Sequence, residues 1–304
     1  MNLIDLHCHI LPGIDDGPKT LQESLEMARI FEQAGYSHVV ATPHAVPGTT
    51  WMPGPEEIKS KLAGLNQAIA KNGIKLKVLP GMEIALDPNI ADLLDNGKVQ
   101  ALAGTSYVLI EPPFQRLPLA WEQAFFNVLS KGLKVLLAHP ERCAQLAAQP
   151  ELCDKLIESG VYFQVNWDSF LGHHGRTTQK MAIYLATRGY IHCLATDSHD
   201  AKSRNAIQVR RTAGTIKELM GPRTLHLISR ENPARVMRNE ALKSMEGQRI
   251  QATVTKKRKW RFWKNETQSN PQITHPPASP ERLAMAGEGL TQIKKINKIK
   301  FSIS

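Results

Sequence analysis

Six places in this 304-residue chain carry a histidine or carboxylate just where an apolar run stops. The first is His7-Cys8-His9. In an extended strand, residues two apart point the same way, so both imidazoles can reach one cation. The others are Thr42-Pro43-His44, Gly81-Met82-Glu83, Glu111-Pro112, His139-Pro140-Glu141-Arg142 and Asp197-Ser198-His199, with Asp15-Asp16-Gly17 following the first run. A lone H-x-H has many structural explanations, but the repetition does not. Buried unpaired carboxylates are costly, and separate structural roles would need a separate partner set at each strand end. One convergent cation cluster satisfies all of them. Mixed imidazole and carboxylate donors without thiolate suit Mn²⁺, Fe or Zn²⁺, and bridging carboxylates imply more than one ion.

Seven β-rich segments must position these groups: Leu3–His7, His38–His44, Lys75–Ile84, Tyr107–Pro112, Lys134–His139, Tyr162–Trp167 and Ile191–Asp197. Most are apolar throughout, as strands buried on both faces are. Helical patterns lie between them. Thr20 caps Leu21–Ala34, with Leu21, Leu25, Ala28 and Ile30 placed towards one side and Gly35 ending the helix. Pro55–Ala70 repeats Ile58, Leu62, Leu65 and Ile69 on one face. Leu119–Ser130, Gln149–Ser159, Thr178–Arg188 and Ile207–Met220 continue the alternation. The reading is an α/β fold with parallel strands, and seven strands predict a distorted barrel whose catalytic groups sit at the C-terminal strand ends.

Taken together, H-x-H, D-D-G-P, T-P-H, G-x-E, A-H-P-E-R and T-D-S-H resemble the PHP superfamily. Within it, Ile14 to Leu21 is most similar to the bacterial manganese-dependent tyrosine phosphatases of the CpsB/CapC/YwqE type, and the likeness spans about 1–240. The resemblance implies a distorted (β/α)7 barrel with three Mn²⁺ ions. His7, His9, Glu83 and Asp197 would hold the first; Glu83, Glu111 and His139 the second; Asp16, His44 and His199 the third. It also implies Arg142 and Arg204 as substrate-phosphate ligands, where a guanidinium fork suits phosphate oxygens. The expected reaction is attack of a metal-bound hydroxide on phosphorus, and the implied substrate is the phosphotyrosine tail of a bacterial tyrosine autokinase controlling capsule or exopolysaccharide export. The motifs alone also fit other PHP chemistry, such as a histidinol-phosphate phosphatase or a nuclease. A non-catalytic metal-binding protein is the remaining alternative, and the complete ligand set opposes it.

Cysteine-based phosphate chemistry is excluded. It requires Cys-x5-Arg, and the residues six after Cys8, Cys143, Cys153 and Cys193 are Ile14, Gln149, Ser159 and His199. The scattered cysteines fit reduced, buried thiols. The N-terminal residues lack a signal sequence, and no apolar run approaches a membrane span, so the expected location is the cytoplasm.

The formal charge of +10 is unevenly distributed. Residues 247–304 hold 12 of the 38 Lys/Arg and 3 of the 28 Asp/Glu, a net of +9, which leaves +1 on 1–246. The expected barrel is therefore 1–246, followed by a basic, disordered extension, and the high pI gives no case for nucleic-acid binding by the barrel. Within the extension, Trp260, Phe262 and Trp263 interleave with basic residues, which fits contact with an anionic membrane or with a kinase tail. Three other polar features have open roles. Asp5 either orients a histidine or makes a structural hydrogen bond, Trp51 either lines the mouth of the site or packs on the surface, and His173-His174 reads as a solvated loop. Whether the protein is a monomer or a homo-oligomer is not encoded in these motifs.

Overall fold

In a computed structural model the described residues are 3–202 and 205–244. Among the described residues nine strands occur in chain order: β1 Leu3–Cys8, β2 Tyr36–Ala41, β3 His44–Ala45, β4 Lys77–Pro80, β5 Glu83–Ala85, β6 Tyr107–Glu111, β7 Lys134–Ala138, β8 Tyr162–Asn166 and β9 Ile191–Ala195. All pair in parallel, in two sheets ordered β1-β2-β4 and β3-β5-β6-β7-β8-β9.

Two of the seven expected strands are therefore broken, and the breaks have local causes. Between β2 and β3, Pro43 has no N–H to give a ladder. Between β4 and β5, a Cβ on Gly81 would lie 2.7 Å from Val40 Cγ1, so the chain passes its neighbour too closely for any side chain there. Beyond each break the chain leaves the first sheet and joins the second, with His44 in register with Glu83. The sheets meet again where an isolated parallel bridge joins Cys8 to Ser198. Around it, the His9 amide donates to the Ser198 carbonyl at 2.9 Å and the Asp197 amide to the His7 carbonyl at 3.0 Å.

Strand alternation sends side chains into two apolar layers. Leu6, Val40, Tyr107, Leu109, Leu136 and Cys193 form one, together with Val236 and Leu242 from the C-terminal part of the described chain. Val39, Val108, Ile110, Val135 and Leu137 face the other, which contains the buried sides of the helices. Helix α1, Leu21–Ala34, starts at a capping box between Thr20 and Glu23 and ends at Gly35 with φ 91°. Its buried face is Ser24, Leu25, Met27, Ala28, Phe31 and Ala34. Leu21 is exposed and Ile30 only half-buried, because the stripe from Leu25 continues through Ala28 to Phe31. Helix α2, Pro55–Lys71, buries Ile58, Leu65 and Ile69 of its expected face, whereas Leu62 is half-buried. The other expected helices form with slightly different ends, over Trp121–Ser130, Glu151–Glu158, Arg176–Arg188 and Gln208–Met220. Among the described residues no helix is long and apolar enough to cross a membrane. All four cysteines are free and buried.

His192 on β9 provides a test of the packing. Its Nδ1 accepts the Phe163 amide at 3.1 Å, and burial pushes its pKa down from 6.5 to about 4. Above pH 6.5 neither the folded nor the unfolded state protonates this ring, so its contribution is intact. As pH falls from 6.5 towards 4, the unfolded chain binds a proton that the folded chain refuses, and stability drops by roughly 3 kcal/mol. Denaturant midpoints between pH 7.5 and 4.5 should therefore fall more steeply for wild type than for His192→Gln. Parallel curves would show that His192 is not held neutral.

Candidate metal centre

The site is built from strand ends. His7 and His9 are both buried and project from the end of β1. In each case the nitrogen facing away from the centre is taken by an acceptor. His7 Nδ1 lies 2.8 Å from Gln164 Oε1 on β8, and His9 Nδ1 lies 2.8 Å from Asp15 Oδ2. His199, just after β9, repeats the pattern, with Nδ1 2.8 Å from the Asp197 carbonyl oxygen. An acceptor at Nδ1 requires the proton there, which leaves Nε2 as a lone pair aimed inward.

The inward nitrogens converge on carboxylates. His7 Nε2 and His9 Nε2 are 3.3 Å apart. Each is 3.2 Å from a Glu83 oxygen, and they lie 3.4 and 3.5 Å from Asp197 Oδ1. His139 Nε2 approaches the same Glu83 Oε1 at 2.9 Å, and His44 Nδ1 approaches Oε2 at 3.0 Å. Glu111, at the end of β6, stands 3.7 Å from His139 and 3.8 Å from His44. Asp16 Oδ1 lies 3.2 Å from His199 Nε2 and 3.4 Å from His44 Nε2. All nine expected ligands are thus brought together. Their donor atoms fall into four overlapping groups, each within 4.8 Å: His9, Asp16, His44 and His199; His7, His139 and Asp197; His7, His9 and Glu83; His44, Glu83 and Glu111. The grouping differs from the expected sets in placing His9 also with the Asp16 set, His139 with His7 and Asp197, and His44 beside Glu83 and Glu111.

The electrostatics fit a cation. Glu83 Oε2, His44 Nδ1 and His139 Nδ1 are buried without a hydrogen bond of adequate geometry, a costly state for a polar atom. Burial opposes ionisation of Glu83, but the surrounding imidazoles, His7 foremost, hold its carboxyl well below the ordinary range. Burial, then repulsion from Glu83, pushes Glu111 up to about 7. Like charges at this density need positive charge among them. Two of the four non-glycine residues with positive φ among the described residues, His139 at 29° and Asp197 at 51°, belong to the cluster.

The sequence reading missed several groups that hold the ligands. Asp15 binds His9, accepts the Gly17 amide at 2.9 Å and accepts the His44 amide at 3.2 Å. Gln164 is oriented by donating to Asn166 Oδ1 at 2.8 Å, and Asn166 donates to Asp197 Oδ2 at 3.0 Å. The available signal was the i, i+2 spacing of Gln164 and Asn166 on the one strand without an ionisable end. Asp5 resolves to the structural alternative, accepting the amides of His7 and Thr196 rather than orienting a ring. Arg142 Nη1 donates to Asp197 Oδ2 at 2.8 Å and reaches a cavity of about 310 Å³ over the cluster. Trp51 and Phe114 also line that cavity. His173 and His174 sit beside Asp168, apart from the cluster. Arg204 and the 247–304 extension lie outside the described residues.

The family model for "Capsular polysaccharide synthesis, CpsB/CapC" matches residues 3–238. This chain belongs to the CpsB/CapC family. The match covers every residue of the cluster. Among CpsB/CapC relatives, the tyrosine-protein phosphatase YwqE of Bacillus subtilis is 32% identical over 240 residues, 79% of this chain and 93% of that protein. The putative tyrosine-protein phosphatase CapC of Staphylococcus aureus is 30% identical over 204 residues, 66% of this chain and 79% of that protein. A crystal structure from a study of YwqE and of Streptococcus pneumoniae CpsB, described as metal-dependent tyrosine phosphatases, superimposes with a TM-score of 0.76. It has 32% identity and covers 81% of this chain and 97% of that one. A Listeria monocytogenes lactonase, 11% identical with a TM-score of 0.52 over 80% of this chain and 95% of that one, shares the fold alone.

Proposed function

We propose that this CpsB/CapC chain is a metal-dependent protein-tyrosine phosphatase. The observation that carries the reading is the anchoring of three imidazoles by acceptors on their outer nitrogens, so that their inner nitrogens face Glu83, Asp197 and Asp16. Partners of this kind, behind the rings, orient histidine ligands in metal sites. The ligands are His7, His9, Asp16, His44, Glu83, Glu111, His139, Asp197 and His199, and we assign them to three ions; five imidazoles with four carboxylates and no thiolate suit Mn²⁺, Fe or Zn²⁺, and of these we assign Mn²⁺ on the family resemblance. Bound cations supply Lewis acidity and an activated water.

The protein's own groups do the rest. Arg142 presents its guanidinium to the cavity, where it can fork two phosphoryl oxygens and offset their developing charge. Its bond to Asp197 fixes that orientation before substrate arrives. We retain Arg204 as a second phosphate ligand. The two sheets are read as one distorted (β/α)7 barrel, in which β2 with β3 and β4 with β5 each form a single broken strand. The Cys8–Ser198 bridge supports closure of that barrel. The names of the relatives support a phosphotyrosine protein of capsule synthesis as substrate, and we assign it to a tyrosine autokinase in the cytoplasm. Four free buried thiols agree with a reducing compartment.

Chelator-stripped protein is expected to lose essentially all turnover of a phosphotyrosyl peptide and to regain it with Mn²⁺. The matched phosphoseryl peptide should be cleaved at least about 100-fold less efficiently, a difference of roughly 2.7 kcal/mol in transition-state stabilisation. Full activity after stripping would remove the metal. Equal cleavage of both peptides, or preference for histidinol phosphate or single-stranded DNA, would replace the proposed substrate.

A further inference from the structure

Two of the few large apolar side chains left exposed in the described chain, Trp51 at 40% and Phe114 at 46%, line the same cavity above the metal cluster. Each is seated on a ligand ring. Trp51 lies parallel to His44, with centroids 5.2 Å apart and planes 7° apart, and Phe114 stacks on His139 at 5.9 Å and 25°. Those two imidazoles approach opposite oxygens of Glu83, at 3.0 and 2.9 Å. The aromatic pair thus rises from the two sides of one carboxylate at the cluster. Arg142 completes the wall, its guanidinium 4.6 Å from the Phe114 centroid while Nη1 holds Asp197.

We infer that Trp51 and Phe114 form an aromatic collar that grips the phenyl ring of the substrate and sets the preference for aryl over alkyl phosphates. The inference deepens the phosphatase reading and rests on it. A phosphate placed at the cluster and beside Arg142 has its ester oxygen pointing out of the cavity, past the two rings. Tyrosine places a flat apolar ring at that level, where offset or edge-on contact with indole and phenyl is favourable. Serine places a single methylene there, which is too small to touch both walls, and its short tether draws the polar peptide backbone down against them. A purely structural role, shielding His44 and His139, would not need both rings to stay this exposed while lining the cavity.

The test separates ring recognition from phosphate recognition without requiring turnover. Equilibrium binding of phenylphosphonate and of inorganic phosphate is measured calorimetrically on the full-length protein as purified, with metal content verified. The proteins compared are wild type, Trp51→Ala, Phe114→Ala and the conservative Trp51→Phe. Each alanine variant should weaken phenylphosphonate binding about 3- to 10-fold, the range for one lost aromatic contact, and leave inorganic phosphate within about twofold. Trp51→Phe should recover most of the loss. With a phosphotyrosyl peptide, KM should rise by a similar factor and kcat should hold. Equal weakening of both anions, or loss of metal, would mean that the rings only support the ligands and would overturn the collar. Wild type that binds phenylphosphonate through the rings but cleaves no phosphotyrosine would instead overturn the phosphatase reading and leave the collar standing.

Discussion

Glu83→Gln is expected to lower kcat/KM towards a phosphotyrosyl peptide by well over about 100-fold and to reduce bound metal, although the side chain keeps its length and shape. Loss of a group that only orients a ligand already costs about 10- to 100-fold in affinity or activity, and Glu83 is placed far more centrally. Four imidazoles lie within 3.2 Å of its two oxygens. An amide keeps one acceptor and turns the other into an N–H₂ donor. The charge that drew positive groups together also disappears. Metal analysis beside steady-state kinetics checks the prediction, and an unchanged far-ultraviolet spectrum separates it from misfolding. A variant with full metal content and near-normal turnover would remove Glu83 from the centre of the site.

Gly17→Ala is expected to be nearly as damaging, although Gly17 carries no chemistry. A Cβ at this position would lie 2.4 Å from the His9 carbonyl oxygen, 3.0 Å from Asp15 Oδ1 and 3.1 Å from His9 Cβ. The nearest obstacle is backbone, so the loop must move, and the Gly17 amide that anchors Asp15 moves with it. Asp15 then leaves His9 Nδ1, and neighbouring Asp16 leaves His44 and His199. Overpacking alone costs about 1–3 kcal/mol of stability, and the disturbed His9 should add roughly 10- to 100-fold in metal affinity. Gly64→Ala is the control: it lies in α2 with open space at its Cβ, and should be neutral or stabilising by up to about 1 kcal/mol. Thermal melts and metal titrations of the two variants decide. Similar behaviour would show that the Gly17 contact yields without consequence.

The cluster was readable in the sequence because strand chemistry is local. Once Leu3–His7 and Lys134–His139 read as buried strands, their terminal histidines had to emerge at one edge, and they do. What could not be read is sorted by geometry alone. The resemblance places Asp16 with His44 and His199, but nothing in the residue type marks its neighbour Asp15 as the anchor of His9. Gln164 and Asn166 are neutral amides of a kind found on any surface, and only the fold shows them aligned behind His7 and Asp197. The broken strands escaped the pattern for a similar reason. The β-rich segments read as continuous through Pro43 and through Gly81, whereas the change of sheet depends on Pro43 and on how closely Val40 passes Gly81. Helix α1 was placed correctly along the chain but rotated, since Leu21 and Ile30 flank the true stripe.

That change of sheet has a mechanical side. His7 and His9 are delivered by the sheet containing β1, whereas His44, Glu83, Glu111 and His139 follow the sheet running from β3 to β9. An ion clasped by both sets behaves as a rivet through a lap joint, and its grip includes the work of keeping the two plates aligned. On the proposed metal assignment, residues along the joint, such as Thr42, whose hydroxyl accepts the Cys8 amide at 3.0 Å, would tune ion retention without touching an ion.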